Sequence, residues 1–491
     1  MELTLDGVGA ADGQTLYIDG KWAPAFSGGM FDVTDPATGD MIGQAADAGA
    51  ADAEQALAAS TAAFPGWSRR TAYERSEALY RAHSIMLSRA DELARLMTLE
   101  QGKPLRAARN EVNYAADFLL WFAEEAKRVY GTTIPAPRAD QRFTVLRQPV
   151  GVVAAITPWN YPISMITRKV GPAVAAGCTV ILKPAEQTPL CAVAMFKIFD
   201  EAGFPPGVVN LLTTNSPAEV ADPLLDSPVV RKLTFTGSTE IGVMLAARAA
   251  ATMKRVSLEL GGHAPFIVLE DADVSRAAKG AALVKFLNTG QACISPNRIY
   301  VHRSRMDEFL DVLVGRVGKL KAGSGFTDGV SIGPLIDDQA LAKMERQVSD
   351  ATAKGAAVLA GGQRLTDSEL AKGWFFAPTV LGDVTPDMLI CAEETFGPIA
   401  PVIAFDTEEE VLQAANATTY GLASYVYTND LAKATRVSEA LQFGIVGIND
   451  INPTAAAAPF GGVKFSGLGR EGAAAGIDEY LDTKLIGQSL P

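Results

Sequence analysis

Cys293 stands in the stretch NTGQACISPNRIYV, a small polar turn between a helix-like run and a strand-like run, where a thiol could act as a nucleophile. Free cysteine is among the most buried residue types and is usually inert, so a core thiol is the competing reading. Its flanks set it apart. Cys178 and Cys191 lie in the apolar runs VAAGCTVILK and PLCAVAMF, while Ser295, Pro296 and Asn297 come soon after Cys293; reachable thiols are the reactive kind. The stretch SLELGGHAP places Glu259 inside an apolar strand that runs into two glycines. A carboxylate there needs a partner or acquires a raised pKa, and a raised pKa suits a general base. A structural ion pair is the alternative. TPWNYP sets Asn160 at a strand end between two prolines, where a fixed side-chain amide could donate to an oxyanion.

Two further junctions have the chemistry of a nucleotide site. LTFTGSTEIG is a strand entering a helix through Gly237 and Ser238. Glycine permits close approach there, and the free N–H groups and dipole of a helix start favour phosphate, although most such junctions merely cap a helix. ILKPAEQTP leaves another strand with Lys183 and Glu186 at its carboxyl end, where an acid can bond a dinucleotide's ribose hydroxyls. A surface pair in a turn is the alternative. EETFGP and PFGGVKFSGLGREG are loops punctuated by Gly and Pro, of the kind that line sites. With no HExxH and no cluster of His and Cys, no metal is expected.

These residues must be positioned by an α/β chain. From Val150 onward, GVVAAITPWN, CTVILKPA, GVVNLLT and VRKLTFTGS read as strands, separated by the helical runs PISMITRKVGPAVAAG, PLCAVAMFKIFDEAG and PAEVADPLLDS. Repeated βα units imply a doubly wound parallel sheet with ligands at the carboxyl ends of its strands. The alternation restarts after Ala264 with PFIVL, RIYVH and MDEFLDVLVGRVGKL, which suggests a second α/β domain. Residues 64–103 read as an amphipathic helical stretch. TTIPAPRADQRFTVLRQPV and the C-terminal IDEYLDTKLIGQSLP read as extended strands outside either domain, either an oligomerisation arm or a solvated hairpin and a tail.

At 491 residues the chain is too long for one ordinary core. Hydrophobic residues at 48% and charged residues at 20% describe a soluble globular protein. No apolar run reaches the roughly 20 residues of a membrane span, and residues 1–22 show no secretory signal. Four cysteines without a CxxC pair fit a reducing cytoplasm. A net charge of −13 argues against nucleic acid or an anionic membrane as partner.

PWN, KPAEQTP, FTGSTEIG, LELGGHAP, GQACISPNR, EETFGP and PFGGVKFSGLGREG occur in the order and spacing of the NAD(P)-dependent aldehyde dehydrogenase superfamily, which the chain resembles over essentially its whole length. Through MITRKVGPAVAAGC, RKLTFTGSTEIG and APFGGVKFSGLGREG it is most similar to the succinate-semialdehyde dehydrogenase branch. The resemblance implies that Cys293 attacks the aldehyde, Asn160 holds the oxyanion, Glu259 activates water, and Lys169 and Glu471 relay protons. It matches Trp159, Lys183, Glu186, Gly237, Ser238, Glu394 and Phe396 to the cofactor site, and Glu186 points to NAD over NADP. His263, where Asn or Lys is more usual, receives no role.

The resemblance also implies a domain plan. Residues 1–128 and 150–261 would form the cofactor-binding domain, 262–465 the catalytic domain, 129–149 and 481–491 an oligomerisation arm, and 466–480 a return segment. A homo-oligomer, dimer or tetramer, follows. In the substrate pocket, Tyr161, Arg168, Leu287, Ile294 and Ala455 are expected. Arg168 matches one of two arginines that hold a substrate carboxylate in the branch. The second falls on Leu287 and a carboxylate-binding serine on Ala455, so a longer or partly apolar aldehyde is expected over succinate semialdehyde. Succinate-semialdehyde dehydrogenase proper, a CoA-acylating enzyme and a silent binding protein of the same fold are the competing functions, and the retained Glu259 favours water as acyl acceptor.

Overall fold

The computed structural model describes residues 13–491. Residues 1–12, on which the expectation of no secretory signal partly rests, lie outside them. The expected strands form: Val152–Ile156, Thr179–Lys183, Val209–Leu211 and Val230–Thr236, joined by helices Ser164–Ala176, Pro189–Glu201 and Pro217–Asp226. With Arg255–Glu259 these strands pair in parallel, and short antiparallel strands close both edges of an eight-stranded sheet. The chain runs outward from Val152–Ile156 to Val209–Leu211, then returns to place Val230–Thr236 on the other side of Val152–Ile156. The crevice at that reversal is where ligands lie in open α/β sheets. Asn160 and Gly237 follow the two strands that flank it.

A second, seven-stranded sheet is parallel apart from its Ala357–Ala360 edge, and has Ala264–Val268 and Pro296–His302 at its centre. Each sheet has its own apolar core. Cys293 comes just before Pro296–His302, so the nucleophile candidate sits at the amino end of the second sheet. Glu259 sits at the carboxyl end of the first. The site lies where the two ends meet.

The helical stretch at residues 64–103 is not one element. Helix Ala50–Ser68 ends there, and Ala72–Ser88 and Ala90–Gln101 follow. Thr71 stops the first run because its hydroxyl accepts from Glu74 N while the Glu74 carboxylate accepts from Thr71 N, a reciprocal cap that starts a new helix. The two extended segments pair with each other: Leu481–Ser489 runs antiparallel to Gln141–Pro149, which pairs with Thr132–Ile134. Among the described residues no helix is long and apolar enough to cross a membrane.

Candidate active site

Helix Val274–Lys285 delivers the chain into a tight turn at Leu287–Gly290, where Asn288 (φ 49°) and Thr289 (φ 60°) adopt the left-handed conformation. Non-glycine residues hold such angles only where surroundings over-determine them. Here Thr289 Oγ1 accepts from Gly333 N at 3.0 Å, and Gln291 Oε1 accepts from Ile336 N at 3.0 Å. The turn presents Cys293, half-buried, to a cavity of about 410 Å³ that Tyr161, Arg168, Leu287 and Ile294 also line. Ala455 is exposed and does not line it; its neighbour Thr454 does. Burial pushes the Cys293 thiol up to about 12, Arg168 pulls against that, and Glu259 and Glu394 add to it. The resting group is a thiol, which a base must activate.

Glu259 ends its strand with Gly261 and Gly262 behind it. A Cβ on Gly262 would overlap the Cys293 carbonyl oxygen, so only glycine lets the two loops meet. Glu259 is buried and its Oε2 has no hydrogen-bond partner among the described residues. Burial first, then the charge of Glu471, raise its pKa well above the carboxylate range, against Arg168, Lys169 and Arg470. A carboxyl with a free oxygen and a raised pKa is a better base than an ordinary carboxylate, which suits taking a proton from water.

Behind Glu259 the charges are paired. Lys169 Nζ donates to Glu471 Oε1 at 2.5 Å and Arg168 Nε to Glu471 Oε2 at 2.7 Å. Burial pushes Glu471 up, but Lys169 and Arg168 outweigh it and hold the group below its usual value. Arg168 is thus buried, not bridging surface carboxylates, and its Nη2 has no partner among the described residues. Asn160 Nδ2 donates to the Gln291 carbonyl at 3.1 Å, which brings its amide to the nucleophile turn with a second N–H to spare.

On the crevice side, Lys183 Nζ and Glu186 Oε2 pair at 2.8 Å. Ser238 caps helix Thr239–Ala250, its hydroxyl accepting from Ile241 N at 3.5 Å. Glu394 Oε1 accepts from Gly262 N at 2.8 Å, and Trp159 meets Phe396 edge-on at 5.6 Å. Thr157 and Thr236, at the carboxyl ends of neighbouring strands, bury hydroxyls without partners among the described residues. An acid to accept from ribose hydroxyls, N–H groups at a helix start and orphaned hydroxyls in the crevice are the polar groups that suit a dinucleotide. His263 is buried, its Nε2 at 2.8 Å from the Cys391 carbonyl, and burial drives its pKa down to about 3. That shift favours the neutral imidazole. Among the described residues no group of His, Cys, Asp or Glu could hold a metal ion.

Two site residues escape sequence reasoning. Lys103 and Glu111 form a buried ion pair that lines the same cavity, and Lys103 Nζ donates to the Asn160 carbonyl at 2.8 Å. The available signal was phase: Glu111 falls on the apolar face of helix Leu105–Glu125 with Ala108, Val112 and Ala115.

A model described as the aldehyde dehydrogenase family matches residues 22–486. Glutarate-semialdehyde dehydrogenase of Pseudomonas aeruginosa is 51% identical over 96% of this chain and 97% of its own. The succinate-semialdehyde dehydrogenase [NADP(+)] of Escherichia coli K12 is 50% identical over 96% and 97%. The crystal structure of succinate-semialdehyde dehydrogenase from Burkholderia pseudomallei superposes with a TM-score of 0.95 at 48% identity, covering 97% of this chain and 98% of that one.

Proposed function

Because the chain belongs to the aldehyde dehydrogenase family, we propose that it oxidises a semialdehyde to the carboxylic acid with NAD, Cys293 serving as nucleophile and water as acyl acceptor. The observation that carries this reading is the packing of Gly262 against the Cys293 carbonyl, which brings the Glu259 loop to the nucleophile turn, with Glu259 Oε2 free of partners among the described residues and its charge felt by the Cys293 thiol. Deprotonated Cys293 forms a C–S bond to the aldehyde carbon while the carbonyl π pair moves to oxygen. Asn160 Nδ2 and the Cys293 N–H donate to that oxygen. When bound, the nicotinamide supplies the hydride-accepting chemistry that turns the thiohemiacetal into a thioester. Glu259 takes a proton from water, which attacks the thioester carbon; the C–S bond breaks, the thiolate leaves, and the proton passes on to the Glu471 carboxylate, which Lys169 holds in place.

For the cofactor, Lys183 and Glu186 would hold the adenosine ribose, Gly237 and Ser238 the pyrophosphate, and Glu394, Phe396 and Trp159 the nicotinamide end. The Glu186 carboxylate opposes a 2′-phosphate, which supports NAD although the E. coli relative is named for NADP(+). For the substrate, Arg168 is the cavity-lining cation with an unpartnered donor, Nη2, among the described residues, since Lys103 is committed to Glu111. The apolar Leu283, Leu287 and Ile451 and the polar Asn110, Asn452 and Thr454 also line the cavity. One guanidinium with neutral donors and a leucine surface suits a single acidic end on a chain longer than that of succinate semialdehyde. The Pseudomonas relative's name, glutarate-semialdehyde dehydrogenase, supports that class.

The three-stranded sheet exposes Ile134, Leu146, Leu485 and Ile486, which supports its role as a homo-oligomerisation arm. The test is kcat/KM over succinate semialdehyde, glutarate semialdehyde, and neutral aliphatic and aromatic aldehydes, each with NAD or NADP, with and without CoA. The expected result is fastest turnover of glutarate semialdehyde with NAD and no dependence on CoA. A CoA requirement would replace water as the acyl acceptor.

A further inference from the structure

We infer that Lys103, paired with Glu111 beneath the substrate cavity, is a positioning residue for Asn160, an inference that rests on Asn160 acting as the oxyanion donor. Gly102 ends helix Ala90–Gln101 at φ +86°, and Lys103 follows it into the interior. Both side chains of the pair are 1% exposed. The ammonium is held by three groups: the Glu111 carboxylate, the Asn160 carbonyl at 2.8 Å, and the Tyr161 ring, whose centroid is 4.2 Å away. The Asn160 carbonyl accepts a second bond from Asn288 Nδ2 at 3.0 Å, and Asn288 belongs to the left-handed turn that presents Cys293. The peptide of the oxyanion donor is therefore clamped between a buried cation and the nucleophile turn.

Glu111 extends the clamp. Its Oε1 accepts from the N–H groups of Ile163 and Ser164, each at 3.1 Å, at the start of the helix that carries Arg168 and Lys169. One ion pair thus sets the Asn160 loop and the entry of the next helix relative to each other. A buried ion pair is weak evidence for stability, because apolar side chains could fill the same space without the cost of desolvation. What apolar side chains could not do is donate to the Asn160 carbonyl. An oxyanion donor works only when its N–H meets the developing charge at hydrogen-bond distance, and small misplacements are costly in rate.

The test compares Lys103→Met and Glu111→Gln, alone and combined with Asn160→Ala, at saturating NAD and aldehyde, with Tm measured alongside. Lys103→Met is expected to lower kcat about 10²-fold, the scale of losing an oxyanion donor, with KM for NAD unchanged. The double variant Lys103→Met/Asn160→Ala is expected to be no slower than Asn160→Ala, because residues that act as one unit are not additive. Glu111→Gln is expected to show a smaller loss with the same non-additivity, and it decides the matter if Lys103→Met does not fold. Full activity in a folded Lys103→Met, or losses that multiply in the double variants, would overturn the inference. Activity lost in Asn160→Ala but kept in Lys103→Met defeats this inference alone, whereas full activity in Asn160→Ala defeats the oxyanion reading and this inference with it.

Discussion

Arg168 donates Nε to Glu471 Oε2 at 2.7 Å across 303 positions of sequence, while the same residue lines the substrate cavity and its buried Nη2 has no partner among the described residues. One guanidinium is therefore shared between the charge network behind Glu259 and the place where an acidic substrate would arrive. Arg168 lowers the Glu259 pKa, helps hold Glu471 ionised, and pulls the Cys293 thiol down. A residue expected from resemblance only to anchor a carboxylate has three further electrostatic duties.

Arg168→Met should consequently act on neutral aldehydes as well as acidic ones. Loss of the cation raises the Glu259 pKa further, so the base ionises at higher pH, and the ascending limb of kcat against pH is expected to move to the alkaline side with a neutral aldehyde. For an acidic aldehyde KM should also rise, on the order of 10-fold or more for a lost charge-assisted bond. Arg168→Lys, which keeps the charge, should move the limb less. A rise in KM with an unmoved limb would reduce Arg168 to a substrate anchor.

Cys293→Ala should abolish oxidation, while Cys178→Ala and Cys191→Ala should keep the rate within about a few-fold, as suits buried structural thiols. Burial raises both of the latter, Cys178 to about 11. Because the Cys293 thiol is pushed up to about 12, its thiolate fraction grows with each step of pH between 7 and 9. Alkylation of the cofactor-free enzyme by iodoacetamide should therefore rise about 10-fold per pH unit in that window, without a plateau. A plateau near neutrality would mean that the thiol is already activated at rest.

The parts of the site that were legible in sequence are local. Strands and helices from Val152 to Thr236 follow from short β-branched runs and Gly/Pro stops, and the Gly261–Gly262 pair flags a close approach without showing that Cys293 makes it. What stayed hidden depends on distance in the chain. Lys103 meets Asn160 across 57 positions and Arg168 meets Glu471 across 303, and no periodicity encodes such pairings. The pocket rim shows the finest limit: Ala455 takes the place of a serine in the branch pattern, yet the side chain that lines the cavity is Thr454, one residue away. Facing depends on the loop's path.

Glu186 is expected to control the choice of cofactor. It is held by Lys183 at 2.8 Å and remains 31% exposed, so a ribose can reach it. Glu186→Ser should remove the repulsion of a 2′-phosphate, raising kcat/KM for NADP by at least about 10-fold while NAD loses a ribose partner. If wild-type enzyme already prefers NADP, Glu186 has turned away from the ribose and Lys183 serves the phosphate instead.

Leu287 offers the sharpest test of substrate choice. It lines the cavity, 41% exposed, together with Leu283 of helix Val274–Lys285. Because the position is open to water, Leu287→Arg places a guanidinium without burying an unpaired charge, so folding should be little affected. With Arg168 lining the same cavity, two cations would then be available to one short acidic end. The expected result is a kcat/KM for succinate semialdehyde raised by about 10-fold or more, mostly through KM, since a charge-assisted bond is added without touching Cys293 or Glu259. Neutral aliphatic aldehydes should lose affinity as the leucine surface disappears. High salt should weaken the gain, because the new charge is solvent-exposed. If wild-type enzyme instead turns over succinate semialdehyde faster than longer semialdehydes, and Leu287→Arg changes nothing, the acidic end is bound elsewhere, and Asn110, Asn452 and Thr454 become the residues to replace.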